Sequence, residues 1–224
     1  MRRFAYENGL SLFFGTLFLV TIVAQSLVGL RSYNAEQQAH GSESASWIDY
    51  VISPEFGGAV MENWQSEFLQ FTLFIFATVW LVQKGSNESK QFDAVGLESK
   101  QKQRLEGFAP ADAPRFAKAR GPARVLYENS LLAVMTALFF ATWAVQSLSN
   151  WREFNAEQVE HEQSTLSWSR YLVHPDFWER TLQNWQSEFL AVGTMVVFTI
   201  YLRQRGSPES KPVGAPHDET GSSG

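Results

Sequence analysis

Cysteine is absent from all 224 residues, which excludes disulfides and any metal site built on thiolates. Also missing are a phosphate-cradling glycine loop, a nucleophile triad and zinc-ligand spacing, so nothing points to nucleotide, hydrolase or zinc chemistry. No cofactor is expected. Charge is not scarce overall, with 18 basic and 23 acidic residues, but it is missing from four long apolar blocks. The mean hydropathy of -0.18 hides that segregation. Eight tryptophans in an aromatic content of 14% suit a protein whose rings sit at a membrane–water boundary.

What the chain does have is repetition. Tyr6-Glu7-Asn8 returns as Tyr127-Glu128-Asn129, and without a gap Gln25-Ser26-Leu27 aligns with Gln146-Ser147-Leu148. Asn34-Ala35-Glu36-Gln37 matches Asn155-Ala156-Glu157-Gln158, and His40 matches His161. Asn63-Trp64-Gln65-Ser66-Glu67-Phe68-Leu69 returns intact at Asn184 to Leu190, and Gly85-Ser86 with Glu88-Ser89-Lys90 returns at Gly206-Ser207 with Glu209-Ser210-Lys211. About two-fifths of the positions are identical over roughly 85 residues, far beyond chance in one fixed register. Apolar positions have drifted while polar helix-end positions have stayed, which argues against a merely recent duplication.

The apolar blocks are Leu10 to Leu30, Leu131 to Leu148, Phe68 to Val82 and Phe189 to Leu202. The first has the length that crosses a bilayer, and the last two reach it only if Asn63 to Glu67 and Asn184 to Glu188 enter the outer interface. Arg2-Arg3 before an apolar run also resembles a signal peptide, but the same segment recurs in mid-chain, where none could operate. The expected fold is all-α: a four-transmembrane-helix bundle of two tandem, like-oriented hairpins, with a pseudo-two-fold axis along the membrane normal. Its parts are a first hairpin at 1–90, a flexible cytoplasmic linker at 91–124, a second hairpin at 125–211 and a disordered tail at 212–224.

Orientation follows from the basic residues. Most, from Arg2 and Arg3 through Lys84 to Arg124 and on to Arg203 to Lys211, lie in the termini and the linker. The hairpin connections hold only Arg31, Arg152, Arg170 and Arg180. Both termini are therefore expected in the cytoplasm and both acidic connections outside. Each connection carries structure signals. The first helix continues from Arg31 to a stop at Gly41, Trp47 to Val51 forms a short interfacial helix, and Ser53-Pro54 starts a helix running to about Gln83.

Two constellations could carry chemistry. Glu67, Glu188, Gln25 and Gln146 fall at similar depth, roughly 22–24 Å from the cytoplasmic helix ends, with Asn63 and Asn184 one turn away. They read as an ion or solute site, or as polar glue with Arg31 and Arg152 as counter-charges. Glu36 with His40, and Glu157 with His161, share helix faces and offer a weaker metal site. The spacing of four departs from the Glu-x-x-His of di-iron bundles, and Glu36 lies some 15 Å further out than Glu67. The leading expectation is a non-enzymatic protein whose outer polar cap binds a partner, ion or small solute. The alternatives are an ion or proton channel or carrier along the axis, and a metal-dependent membrane enzyme. Expected partners are the lipid bilayer and another membrane protein or a second copy, with no nucleic acid.

The duplicated pattern Tyr-Glu-Asn, Gln-Ser-Leu, Asn-Ala-Glu-Gln, Asn-Trp-Gln-Ser-Glu-Phe-Leu and Gly-Ser-x-Glu-Ser-Lys resembles an uncharacterised bacterial family of small membrane proteins. The likeness covers residues 6–90 and 127–211. It implies residence in the bacterial inner membrane and no established activity, so no catalytic residue carries over.

Overall fold

A computed structural model describes residues 2–221. Eight α-helices and no strand occur among them: α1 (Arg2–Glu7), α2 (Gly9–Ala39), α3 (Trp47–Val51), α4 (Pro54–Trp80), α5 (Pro122–Glu128), α6 (Ser130–Glu160), α7 (Trp168–Tyr171) and α8 (Pro175–Tyr201). Two of these, α2 and α6, each of 31 residues, are long and apolar enough to cross a membrane. The 27-residue α4 and α8 do not pass the same test, because Asn63 to Glu67 and Asn184 to Glu188 interrupt their apolar runs. The chain divides into two compact units, one of residues 1–61 and 145–172, the other of 62–144 and 173–224.

In the first unit the residues that close each connection are polar and local. Asn34 donates to the Ala45 carbonyl at 3.0 Å and accepts the Ala45 N–H at 2.8 Å. Asn155 makes the same pair of bonds to Leu166, at 2.9 and 2.8 Å. Ser46 then caps α3 in a reciprocal box with Asp49, satisfying amides the first helical turn leaves open. The Trp47 indole donates to Ser26 at 3.1 Å and Trp168 to Ser147 at 3.2 Å, so each short helix is pinned to the long helix before it. Tyr50 lies over Gly29, where an added Cβ would overlap the phenol, and Gly57 and Gly58 let α4 approach Ser149 and Asn150 of α6.

In the second unit the Gly-Ser-x-Glu-Ser-Lys motif ends the long helices. Expected to run to about Gln83, α4 stops at Trp80 because the chain turns at once into this motif. Ser89 Oγ accepts the Gln83 N–H and Ser210 Oγ the Gln204 N–H, both at 2.9 Å, while Gly85 and Gly206 take positive φ values of 83° and 82°. The lysines then gather the chain that follows. Lys90 donates to the Gly96 carbonyl at 3.0 Å. Lys211, almost wholly buried, donates to the carbonyls of Pro216, His217 and Glu219 at 3.0–3.1 Å. Burial, with the charge of Arg203 second, pulls Lys211 below the ordinary lysine range.

Residues 212–221, expected to form a structureless tail, contain no helix but are tied down in this way, with the Gly85 N–H donating to Thr220 at 2.8 Å. Residues 91–124 hold three single-turn 3-10 helices, Phe92–Ala94, Glu106–Phe108 and Arg115–Lys118, and Glu106 there pairs with Lys100 and Arg124.

The two motif turns also meet each other. Asn87 donates to the Pro208 carbonyl at 3.3 Å, and the Glu209 charge acts on Glu88. Burial first, and Glu209 second, raise Glu88 above its ordinary value of 4.5. An acid whose folded value is raised stabilises the fold below 4.5 and loses that contribution as the pH climbs through the raised value. Glu88→Gln is therefore expected to raise the thermal midpoint at pH 7.5, with the gain vanishing below pH 4.5. A gain that is the same at both pH values would contradict this account.

Candidate functional site

In the first unit, the C-terminal ends of α2 and α6 continue as polar helix beyond their apolar stretches and, with the start of α4, enclose a cleft of about 260 Å³. From α2 and the turn after it come Tyr33, Glu36, Gln37, His40 and Ser42; from the start of α4 come Ser53, Pro54 and Glu55; from α6 come Arg152, Glu153, Ala156, Glu157 and Glu160. Five carboxylates thus share one cleft with a single arginine and a single histidine. The helix C-termini of α2 and α6 add their own partial negative charge. His40 Nδ1 meets the Glu160 carboxylate. Beneath the cleft the Tyr50 phenol is held neutral, pushed up by burial and then by the Glu55 carboxylate.

Local sequence explains this placement. The Ser53 hydroxyl accepts the Phe56 N–H at 3.2 Å, which starts α4 with Pro54 in its first turn and Glu55 beside the cleft. On the other strand of the repeat, His174 Nδ1 accepts the Asp176 N–H at 3.3 Å and starts α8 in the same way. Arg152, Glu153, Ala156, Glu157 and Glu160 recur at helical spacing along one face of α6.

The residues singled out from sequence part company here. Glu36, His40, Glu157 and Arg152 all line the cleft, whereas His161 is not in its wall and Arg31 is exposed. Among the described residues no group of three or more His, Asp or Glu side chains is placed to hold a metal ion. Gln25 is exposed, but Gln146 is fully buried, and neither its amide nitrogen nor its oxygen has a hydrogen-bond partner among the described residues.

Glu67 and Glu188 come together in the second unit. Glu67 is exposed and Glu188 half-buried; the Glu67 charge bears on Glu188, and the Ser66 hydroxyl is within its reach. Asn184 is occupied with the Arg180 carbonyl at 2.8 Å, and Asn63 is exposed. The buried member of the septapeptide is Gln65, which accepts the Trp185 indole N–H at 2.8 Å. Sequence reasoning missed Gln65 and three cleft acids, Glu55, Glu153 and Glu160. Helical spacing from Arg152 and Glu157 along α6 was the signal that could have found the last two.

A family described as a domain of unknown function (DUF6766) matches residues 1–222. No curated protein and no solved structure matches the chain.

Proposed function

The chain belongs to the DUF6766 family along its length, and on that premise we propose that it is a four-helix bacterial inner-membrane protein whose outer acidic cleft binds a small organic polycation. The surface supports membrane residence. Only 6% of the most apolar window of α2 is buried, and Leu10, Phe13, Phe14, Leu19 and Val20 are all more than half exposed. A core helix of a water-soluble protein would bury that stripe. Beside Tyr50, Phe56, Val60 and Tyr171 the first unit also buries Ser26, Gln146, Ser147 and Asn150, polar contacts that suit helices packed in hydrocarbon.

At 27 residues, α4 and α8 measure about 40 Å, enough to span with their Asn-Trp-Gln-Ser-Glu stretch near the interface. Two like-oriented hairpins related about the membrane normal, with cytoplasmic termini, follow from the distribution of lysine and arginine. The outer connections then carry the cleft, and the observation that supports binding there is its charge: five glutamates against Arg152 and His40. Such a concave field concentrates cations and draws them in.

Spermidine is the probe. Full-length protein in lipid nanodiscs is expected to bind it in a salt-sensitive manner, with affinity falling about tenfold in Glu36→Gln/Glu157→Gln. A cysteine placed at Ser42, the only thiol in the chain, is expected to react with an impermeant maleimide added outside intact cells. Unchanged spermidine affinity in a folded double variant would sink the binding site, and protection of Ser42→Cys would sink the orientation.

A further inference from the structure

The second unit holds another cavity, of about 190 Å³, that the acidic cleft does not explain. Its walls are Phe71, Phe74, Ala191, Val192 and Met195 with the single amide of Gln70, and its acidic end is Glu88 and Glu209. We propose that this cavity binds an organic monocation with an apolar body, its charged head between the two carboxylates and its body against the aromatic wall.

Three observations converge on that chemistry. The Glu88 Oε1 atom is buried and accepts no hydrogen bond from the described residues, although a carboxylate oxygen out of water needs a donor or a cation. The main chain that carries both glutamates is fixed. The Glu88 N–H is held by Ser86 Oγ at 3.1 Å and the Glu209 N–H by Ser207 Oγ at 3.2 Å, while Ser86 also bonds Thr199 at 3.1 Å. The motif's own cations are committed elsewhere, Lys90 to the Gly96 carbonyl and to Glu98 at 3.6 Å, Lys211 to three carbonyls.

The ligand class follows by elimination. A hydrated divalent ion needs roughly six or more oxygen ligands and keeps its waters, and two carboxylates with one amide beside apolar walls supply too few. A neutral apolar molecule would leave both carboxylates uncompensated. A quaternary ammonium carries no N–H to satisfy, spreads its charge over methyl groups, and gains from aromatic neighbours such as Phe71 and Phe74. Burial already raises the proton affinity of Glu88, so a bound cation would replace the proton as its partner.

The test uses the full chain in lipid nanodiscs, titrated calorimetrically with benzyltrimethylammonium, with empty nanodiscs as the blank. Saturable binding is expected, weakened about tenfold or more in Glu88→Gln/Glu209→Gln. Val192→Trp, which fills the apolar half and leaves both carboxylates, is expected to weaken it equally, and tetramethylammonium, the head alone, to bind about tenfold less tightly. Glu36→Gln/Glu157→Gln is expected to leave it unchanged, which separates this pocket from the outer cleft. The proposal is overturned by no binding above the blank, by equal binding in a folded Glu88→Gln/Glu209→Gln or Val192→Trp protein, or by magnesium chloride binding as tightly as the organic cation. Should the double glutamine protein fail to fold, Val192→Trp and the comparison of the two ammonium ions decide the matter alone.

Discussion

Gly58→Leu is expected to leave little folded protein. A helical glycine is ordinarily replaced at a profit, since alanine is better by about 1 kcal/mol in a helix interior. At Gly58 that gain is overrun, because a Cβ would lie 2.6 Å from Asn150 Oδ1 and 3.5 Å from Glu153 Oε2. Asn150 is itself 1% exposed, so it has nowhere to swing. Forcing four further carbons between α4 and α6 is expected to cost about 3 kcal/mol, and Gly58→Ala a smaller part of it. Gly15, with nothing within 4 Å of its Cβ position, is the control: Gly15→Ala is expected to be neutral or mildly stabilising. Thermal midpoints in detergent check the series. Equal effects at Gly58 and Gly15 would mean that helix propensity, and not the approach of two helices, decides.

Lys211→Met is expected to release the segment after α8. The ammonium gives one hydrogen bond to each of three backbone carbonyls, and hydrogen bonds from a charged donor are the strong kind. Methionine keeps much of the volume and none of the donors, so three acceptors lose their partner together. A local loss of about 3 kcal/mol corresponds to roughly hundredfold faster opening. Hydrogen exchange at Gly85, whose N–H is held by Thr220, and at Gly221, whose N–H is held by the Ser86 carbonyl, reads that opening directly. Lys90→Met is expected to do much less, because Lys90 serves a single carbonyl. Lys211→Arg is not expected to rescue, since a planar fork does not match three converging carbonyls. Unchanged protection at Gly85 and Gly221 in Lys211→Met would show that the segment is held by something else.

The helices were legible to within a few residues, and the reason is physical. The stop at Gly41, the short helix at Trp47 to Val51 and the start at Ser53-Pro54 rest on local chemistry, and local chemistry is what a sequence displays. The end of α4 was placed too late because the apolar pattern continues to Val82, while the turn that stops the helix is made by Ser89 reaching back to Gln83. Burial was not legible at all. The two septapeptides are identical, yet Gln65 is fully buried and Gln186 is exposed; Gln25 and Gln146 divide the opposite way, with the second copy buried. Identical segments cannot announce different neighbours, and the neighbours differ where the halves have drifted, as at Gly58, whose counterpart is Glu179. The acidic cleft was half visible. Glu36, His40 and Glu157 stood out by spacing, but Glu55 and Glu160 join them only when three helix ends converge.

The asparagine clasps that follow α2 and α6 bear on the order in which the molecule is made. Asn34 reaches only 11 residues ahead and Trp47 only 21 behind, so both fastenings can form once residue 47 has emerged from the ribosome. Contacts of such short range close quickly and at small entropic cost. The nascent chain is therefore expected to close the segment from Asn34 to Trp47 before any of α4 has left the ribosome. The register of the second helix would then be dictated by a finished template, and not negotiated between two mobile strands of equal standing.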